Sequence, residues 1–175
     1  MTRALFAMAW LLSLPMAAFA QVQPSDQTTQ LVANVSEAFL DQLVKEDFAT
    51  ERAFLSERLA NIASLPVWQS TRQQVIEVAG KTQRHTVHGL TYYQDEHLLA
   101  AVDFSGPGEV PDILICGFML WELPEPNIIG LVRFEENIVP IDAFRRMPVQ
   151  EAAQTMTNWR CPSQVIEDVL GIPVK

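Results

Sequence analysis

Apolar residues in the first half of the chain recur at helical spacing. Three segments carry this pattern, and it predicts amphipathic helices over about 28–46, 51–63 and 66–79. Ser25 or Asp26 is placed to cap the start of the first helix. The residues assigned to buried helix faces are Leu31, Val32, Val35, Phe39, Leu40, Leu43, Val44, Phe54, Leu55, Leu59, Ile62, Ala63, Trp68, Val75, Ile76 and Val78.

The pattern changes after the third helix. β-branched and aromatic residues dominate the stretches 82–93, 98–104, 113–123 and 128–139, which short turn sequences separate. Parallel strands need long crossover connections, and the chain has no room for them here. We therefore expect four strands in an antiparallel meander.

The third strand is apolar on both of its faces. Leu114, Cys116, Phe118 and Leu120 share one face, and Ile115, Met119, Trp121 and Leu123 share the other. A strand without alternation is buried on both sides, so it belongs in the middle of the sheet. The helices would cover one face. The C-terminal segment, weakly helical over 149–158 and 163–170, or a partner subunit would cover the other.

These elements predict an α+β fold, in which N-terminal helices pack on a curved four-stranded antiparallel sheet and a short helical tail follows. The chain resembles small exported proteins of the NTF2-like cone superfamily over about residues 30 to 140. The resemblance lies in the Trp68 helix ending at Gly80-Lys81, the strand Phe118-Met119-Leu120-Trp121-Glu122, and the strand Gly130 to Asn137. It implies a cone fold. The superfamily includes isomerases, dehydratases, hydrolases and binding domains, so fold alone does not select a function.

The first twenty residues have the pattern of a secretory signal peptide. Arg3 supplies a positive charge, Ala4 to Leu14 is a short apolar run, and Ala18-Phe19-Ala20 is a small-residue cleavage site. An uncleaved anchor helix is the alternative. We expect an exported protein, periplasmic or secreted, with a signal peptide over 1–20.

The mature chain divides into three parts on this interpretation. A polar leader over 21–27 precedes one α+β domain over 28–140, and a tail over 141–175 follows. The tail extends beyond the resemblance.

The two cysteines, Cys116 and Cys161, form an even pair in a chain with an export signal. This favours one disulfide, which would tether the tail to the sheet. Two free buried thiols and a redox or nucleophilic role are the alternatives. The three histidines have no recognised metal-ligand spacing with either cysteine, so no metal site is predicted.

A formal net charge of −9 disfavours nucleic acid and anionic membrane surfaces as partners. The sequence contains no phosphate-binding loop, dinucleotide fingerprint, nucleophile elbow or zinc-protease motif, and it therefore indicates no cofactor. Membrane anchoring after signal cleavage is likewise not predicted.

The candidate catalytic residues are Asp103, His88 and Tyr92. Asp103 lies among apolar neighbours, where a carboxylate can act as a general base, and His88 and Tyr92 share a period-two face of the first strand. The alternative places Asp103 on a solvated face or paired with Arg133. His85 and His88 fall on opposite faces of a strand, and surface histidines are the plainer interpretation.

Phe118, Trp121 and Arg133 are the candidate ligand-pocket residues. Arg133 offers a fork of donors for an anion, although a residue of this kind more often pairs with a cross-strand acid, here Glu122. Glu135-Glu136 has the pattern of a solvated strand end.

Three functions remain open at this point. The first is an exported non-catalytic domain that binds a small apolar ligand or a protein partner. The second is a small cone-fold isomerase or hydrolase that uses an acid in an apolar pocket. The third is a homodimer with a structural or accessory role, in which the second sheet face forms the subunit interface.

Overall fold

A computed structural model describes residues 22–173 and contains, within them, four helices, a four-stranded sheet and three further helices. The predicted signal peptide over 1–20 lies outside the described residues. The element order confirms the predicted α+β fold class, with helices on the antiparallel sheet and a short helical tail.

The N-terminal helices are α1 (Asp26–Lys45), α2 (Phe48–Ala53), α3 (Glu57–Ile62) and α4 (Leu65–Ala79). The strands are β1 (Thr86–Gln94), β2 (Leu98–Pro107), β3 (Ile113–Glu125) and β4 (Ile128–Pro140). The tail helices are α5 (Ile141–Arg146), α6 (Val149–Asn158) and α7 (Ser163–Leu170). Ser25 caps α1, because its side chain accepts a hydrogen bond from the backbone N–H of Thr28.

The predicted second helix is two short helices, α2 and α3, because the chain between them binds the edge of β4. Leu131 N donates to Phe54 O at 2.8 Å, and Ser56 N donates to Leu131 O at 2.9 Å. These backbone bonds satisfy groups at the sheet edge that a continuous helix would leave open. The interruption changes the direction of α3, and Ile62, assigned to the buried face, is 73% exposed.

The sheet has the order β1-β2-β3-β4, with every neighbouring pair antiparallel. The strand predicted to be central, β3, is an interior strand. Its two faces define two sides of the molecule. We call the side under α1 to α4 the helix face and the opposite side the tail face.

Aromatic rings fill the helix face. Phe39 of α1 lies at their centre, with ring centroids 5.2 to 6.5 Å from its neighbours Phe54, Trp68, Trp121 and Phe134. Phe104 stacks on Phe134 at 5.8 Å. Gly117 makes this stacking possible, since a Cβ there would lie 2.8 Å from Phe104 Cζ. The interior between helices and sheet is therefore occupied by side chains.

The tail helices cover one end of the tail face. Cys116 and Val139 of the sheet pack with buried residues of the tail, among them Phe144, Met156 and Ile166. A disulfide joins Cys116 to Cys161, which confirms that prediction. The tail thus occupies part of the surface that the homodimer hypothesis assigns to a second subunit.

Within residues 22–173, no helix combines the length and the apolar character that crossing a membrane requires.

Candidate functional site

Three charged side chains from separate elements meet inside the molecule. Arg72 of α4 lies between Glu51 of α2 and Glu136 of β4, and we call these three residues the buried charge cluster. Their side chains are 3%, 0% and 4% exposed. Arg72 Nε donates to Glu51 Oε2 at 3.2 Å, and Arg72 Nη1 donates to Glu136 Oε2. Trp68 Nε1 also donates to Glu51 Oε2, at 2.8 Å.

Strand register places Glu136 in the cluster. Glu136 pairs with Gly117, whose β3 neighbours at the alternate positions, Ile115 and Met119, both belong to the helix-face core. Glu136 therefore faces the helices, whereas Glu135 faces the other way and pairs with Arg133. The interpretation of Glu135-Glu136 as a solvated strand end is wrong for Glu136.

The cluster holds two carboxylates against one guanidinium. Burial raises the pKa of Glu136, and Arg72 only partly opposes this effect. Burial also raises the pKa of Glu51, against the opposing charge of Arg72 and with a smaller contribution from Glu136. One oxygen of each carboxylate, Oε1, has no hydrogen-bond partner. The cluster is thus short of one positive charge and of hydrogen-bond donors.

A cleft of about 300 Å³ opens onto this cluster between α4 and β4. We call it the α4–β4 cleft. Its apolar lining comes from Trp68, Val75 and Phe134, and its polar lining includes Thr71, Arg72 and Glu136. It joins apolar surface to a buried, incompletely paired carboxylate, which is the composition of a small-ligand site.

His85 lies near the cluster and contributes to its electrostatics. Its ring packs edge-on against Phe104, with centroids 5.4 Å apart. Burial, with the charge of Arg72 as a second cause, lowers the pKa of His85 to about 4. His85 is therefore neutral at pH 7. The residue is half-buried, with both ring nitrogens buried, rather than on the surface as expected.

The predicted catalytic residues do not all share one face. Register irregularity between Val87 and Gly89 leaves His88 as an extra residue in β1, which shifts the alternation by one position. Tyr92 consequently packs in the helix-face core, while His88 reaches the tail face. The prediction that His88 and Tyr92 share one face of the strand is therefore wrong, because the bulge moves them to opposite faces.

Asp103 and His88 do lie on the same face. His88 Nε2 is 2.8 Å from Ser105 Oγ, and the charge of Asp103 acts on the His88 ring. Burial nevertheless lowers the pKa of His88, because desolvation outweighs that charge. Asp103 Oδ1 lies 3.1 Å from Arg160 Nη2, so its ion-pair partner is in the tail rather than Arg133. The sequence pattern did not indicate Ser105 as a site residue.

The three predicted ligand-pocket residues are also divided between the faces. Trp121 is fully buried on the helix face, whereas Phe118 and Arg133 lie on the tail face. Phe118 and Trp121 are three positions apart, and an odd separation in a strand gives opposite faces. The three residues therefore cannot line one pocket.

Two guanidinium groups lie over the Phe118 ring. Arg133 Cζ is 5.3 Å from the ring centroid, and Arg160 Cζ is 5.0 Å from it. Arg133 pairs with Glu135 on its own strand, so the proposed pair with Glu122 is wrong. Each arginine already has an acidic partner, which leaves a neutral surface network.

Within residues 22–173, no three His, Cys, Asp or Glu side chains are grouped so as to hold a metal ion. Comparison with known proteins found no matching family model, curated protein or solved structure. Membership of the NTF2-like superfamily stays a prediction, which rests on the resemblance and on the order of the elements.

Proposed function

We propose that the chain is an exported, non-catalytic binding domain that holds a small ligand in the α4–β4 cleft. The observation that carries this proposal is Glu136 Oε1, a carboxylate oxygen without a partner on a side chain that is 4% exposed. A buried acceptor of this kind is unfavourable unless a donor reaches it. A ligand in the cleft would supply that donor.

The packing of the interior supports the α4–β4 cleft, rather than the space between the helices and the sheet, as the ligand site. Aromatic rings of the helix face occupy the space between helices and sheet, with Phe39 in contact with its neighbours on several sides. The α4–β4 cleft remains open and combines Trp68 and Phe134 with polar groups. Its volume of about 300 Å³ suits a small molecule.

The disulfide supports the proposed export. Cys116 and Cys161 are joined and buried, and bridges of this kind persist in oxidising compartments outside the cytoplasm. The bridge also holds the tail on the sheet, which stabilises the folded domain outside the cytoplasm.

A thermal-shift series with a blocked cleft tests the proposal. The probes are small aromatic amines, alcohols and carboxylic acids, tested on the wild type, Thr71→Trp and Gln74→Trp. Thr71 is an exposed residue of α4 that lines the cleft, while Gln74 is exposed on the same helix outside the lining. We expect at least one class to raise the melting temperature of the wild type and of Gln74→Trp but not of Thr71→Trp. No stabilisation by any class, or stabilisation that survives in Thr71→Trp, would overturn the proposal.

A second candidate is the small hydrolase, for which His88 and Ser105 provide a specific observation. A hydroxyl 2.8 Å from an imidazole nitrogen, with a carboxylate acting on the ring, has the arrangement of an activated nucleophile. Ser105 is 5% exposed, and this burial limits the approach of a substrate carbonyl. The binding domain is therefore the better-supported function.

Hydrolysis of p-nitrophenyl acetate separates the two candidates. A hydrolase would exceed the buffer rate in the wild type and in Ser70→Ala, an exposed serine of α4, and would lose the excess in Ser105→Ala and His88→Gln. Equal rates in Ser105→Ala and the wild type exclude this candidate.

A further inference from the structure

We propose that the ligand of the α4–β4 cleft carries a primary ammonium group, which binds Glu136 Oε1. This inference rests on the proposed binding function and adds the chemical class of the ligand. It follows from two observations: the charge of the buried cluster, and the hydrogen-bond acceptors that remain available in the cleft.

The charge of the cluster favours a cation. Glu51 and Glu136 carry two negative charges when ionised, and Arg72 carries one positive charge. The second carboxylate is therefore uncompensated in a buried site, which is costly. One ligand cation would restore the balance, whereas an anion would increase the deficit.

Three of the hydrogen-bond donors at the cleft are already engaged. Arg72 directs Nε and Nη1 at the two carboxylates, and the Thr71 hydroxyl donates to Val67 O at 3.0 Å. The oxygens of Thr71 and Glu136 remain as acceptors. An ammonium group has three donors and no acceptor, so it matches the acceptor oxygens of Thr71 and Glu136.

The remaining lining determines the rest of the ligand. Trp68, Val75 and Phe134 present apolar surface next to the acceptors. Arg72 already lies 5.8 Å from the centre of the Phe134 ring, so this ring serves as an apolar wall rather than as a second cation site. The matching compound is an amine with an apolar or aromatic body. The net charge of −9 would also attract it electrostatically.

A bound ammonium group would compete with a proton. Without ligand, burial favours a protonated carboxyl in the cluster, since the pKa values of Glu51 and Glu136 are raised. The other charged or titratable groups that act there are Arg72 and, through Arg72, His85, which burial keeps neutral at pH 7. A bound cation stabilises the ionised carboxylate and therefore opposes the effect of burial on these pKa values.

Isothermal titration calorimetry with three probes of one shape tests the inference. The probes are phenethylamine, 2-phenylethanol and phenylacetate, titrated into the full mature protein. We expect phenethylamine to bind about tenfold tighter than the alcohol, because its hydrogen bond to the carboxylate is charge-assisted. Its affinity should fall as the pH is lowered, because protonation of Glu136 removes the charge that the ammonium group binds.

Two glutamine variants locate the effect. Glu136→Gln removes the charge and keeps the shape, and we expect it to abolish the preference for the amine and the pH dependence of amine binding. Glu77→Gln, an exposed residue of α4 outside the cleft lining, should retain both. The comparison of probes on the wild type decides the question even if Glu136→Gln fails to fold.

The outcomes distinguish a failure of the ammonium inference from a failure of the proposed binding function. If alcohol and amine bind equally and Thr71→Trp blocks both, the cleft binds ligands but the ammonium inference is wrong. Binding of phenylacetate in preference to the amine also overturns it. If all three probes fail to bind and none stabilises the protein, the proposed function fails as well.

Discussion

Arg160 has a positive φ of 61°, a backbone conformation that costs about 1 kcal/mol for residues other than glycine. It follows α6, where Arg160 N donates to Thr157 O and Cys161 N donates to Met156 O. This is the Schellman pattern of a helix end, and glycine is its usual residue at this position. The Arg160 side chain contacts Phe118 and Asp103, and these contacts offset the backbone cost.

We expect Arg160→Ala to be less stable than Arg160→Gly by about 1 kcal/mol. Both variants lose the contacts with Phe118 and Asp103, but only glycine relieves the backbone. Urea unfolding of the two variants and the wild type measures the difference. Equal stabilities would mean that the left-handed conformation carries no cost at this helix end.

Arg72→Met tests how much the charge of Arg72 contributes to stability in the buried charge cluster. The change leaves two buried carboxylates without their counter-ion, so we expect a loss of about 3–5 kcal/mol at pH 7. The loss should shrink as the pH falls, because protonation neutralises Glu51 and Glu136. Arg58→Met, on the exposed face of α3, is the control and should change stability by less than about 0.5 kcal/mol. A similar loss at every pH would show that lost packing, not charge, causes the effect.

At the scale of elements, the disulfide and the tail act together. Cys116 belongs to β3, and Cys161 lies three residues after the end of α6, 45 residues later in the chain than Cys116. The bridge holds α6 and α7 over the apolar end of the tail face, where Val139 and Ile166 are buried. Arg160, next to Cys161, adds the ion pair with Asp103. The tail is thereby connected to two neighbouring strands, β2 and β3.

We expect Cys161→Ser to lower the free energy of unfolding by about 4 kcal/mol, since the bridge restricts the unfolded chain. Trypsin should also cleave at Arg145 or Arg146 faster than in the wild type. Denaturant unfolding and timed proteolysis measure the two effects, with the reduced wild type as the matched comparison. An unchanged transition and unchanged cleavage would contradict a role for the bridge in holding the tail.

Most elements follow from local patterns. The predicted helices over 149–158 and 163–170 coincide with α6 and α7, and the predicted strand starts at 98, 113 and 128 coincide with those of β2, β3 and β4. Periodicity and turn residues act within a few positions, so the sequence carries these signals directly. The division between α2 and α3 has no such signal, because it depends on a distant strand edge at Leu131.

At the scale of the whole molecule, the stability of the protein depends on pH through two contributions of opposite sign. The pKa of His85 falls from an ordinary value of 6.5 to about 4 in the folded protein, so its contribution raises stability with pH between about 4 and 6.5. Glu51 and Glu136 have raised pKa values, so their contribution is greatest below 4.5 and is lost as the pH rises through their folded pKa values. The two effects have opposite signs in an overlapping range.

We expect His85→Phe to remove the histidine contribution and leave that of the glutamates. Between pH 6.5 and 4.5 the wild type should lose about 2 kcal/mol relative to His85→Phe. Denaturant unfolding at intervals across this range measures both proteins. Parallel pH curves for the two proteins would contradict a buried neutral His85.

The sequence by itself determined the order and type of the elements, the antiparallel pairing and the interior position of β3, because local spacing and short connections carry this information. It favoured the disulfide because the chain has only two cysteines and an export-signal pattern. The tertiary structure alone decided which polar side chains meet. Glu51, Arg72 and Glu136 come from two helices and a strand that are far apart in the chain. One extra residue in β1 placed His88 and Tyr92 on opposite faces. Such contacts depend on register and packing between distant segments, which no local pattern of residues encodes.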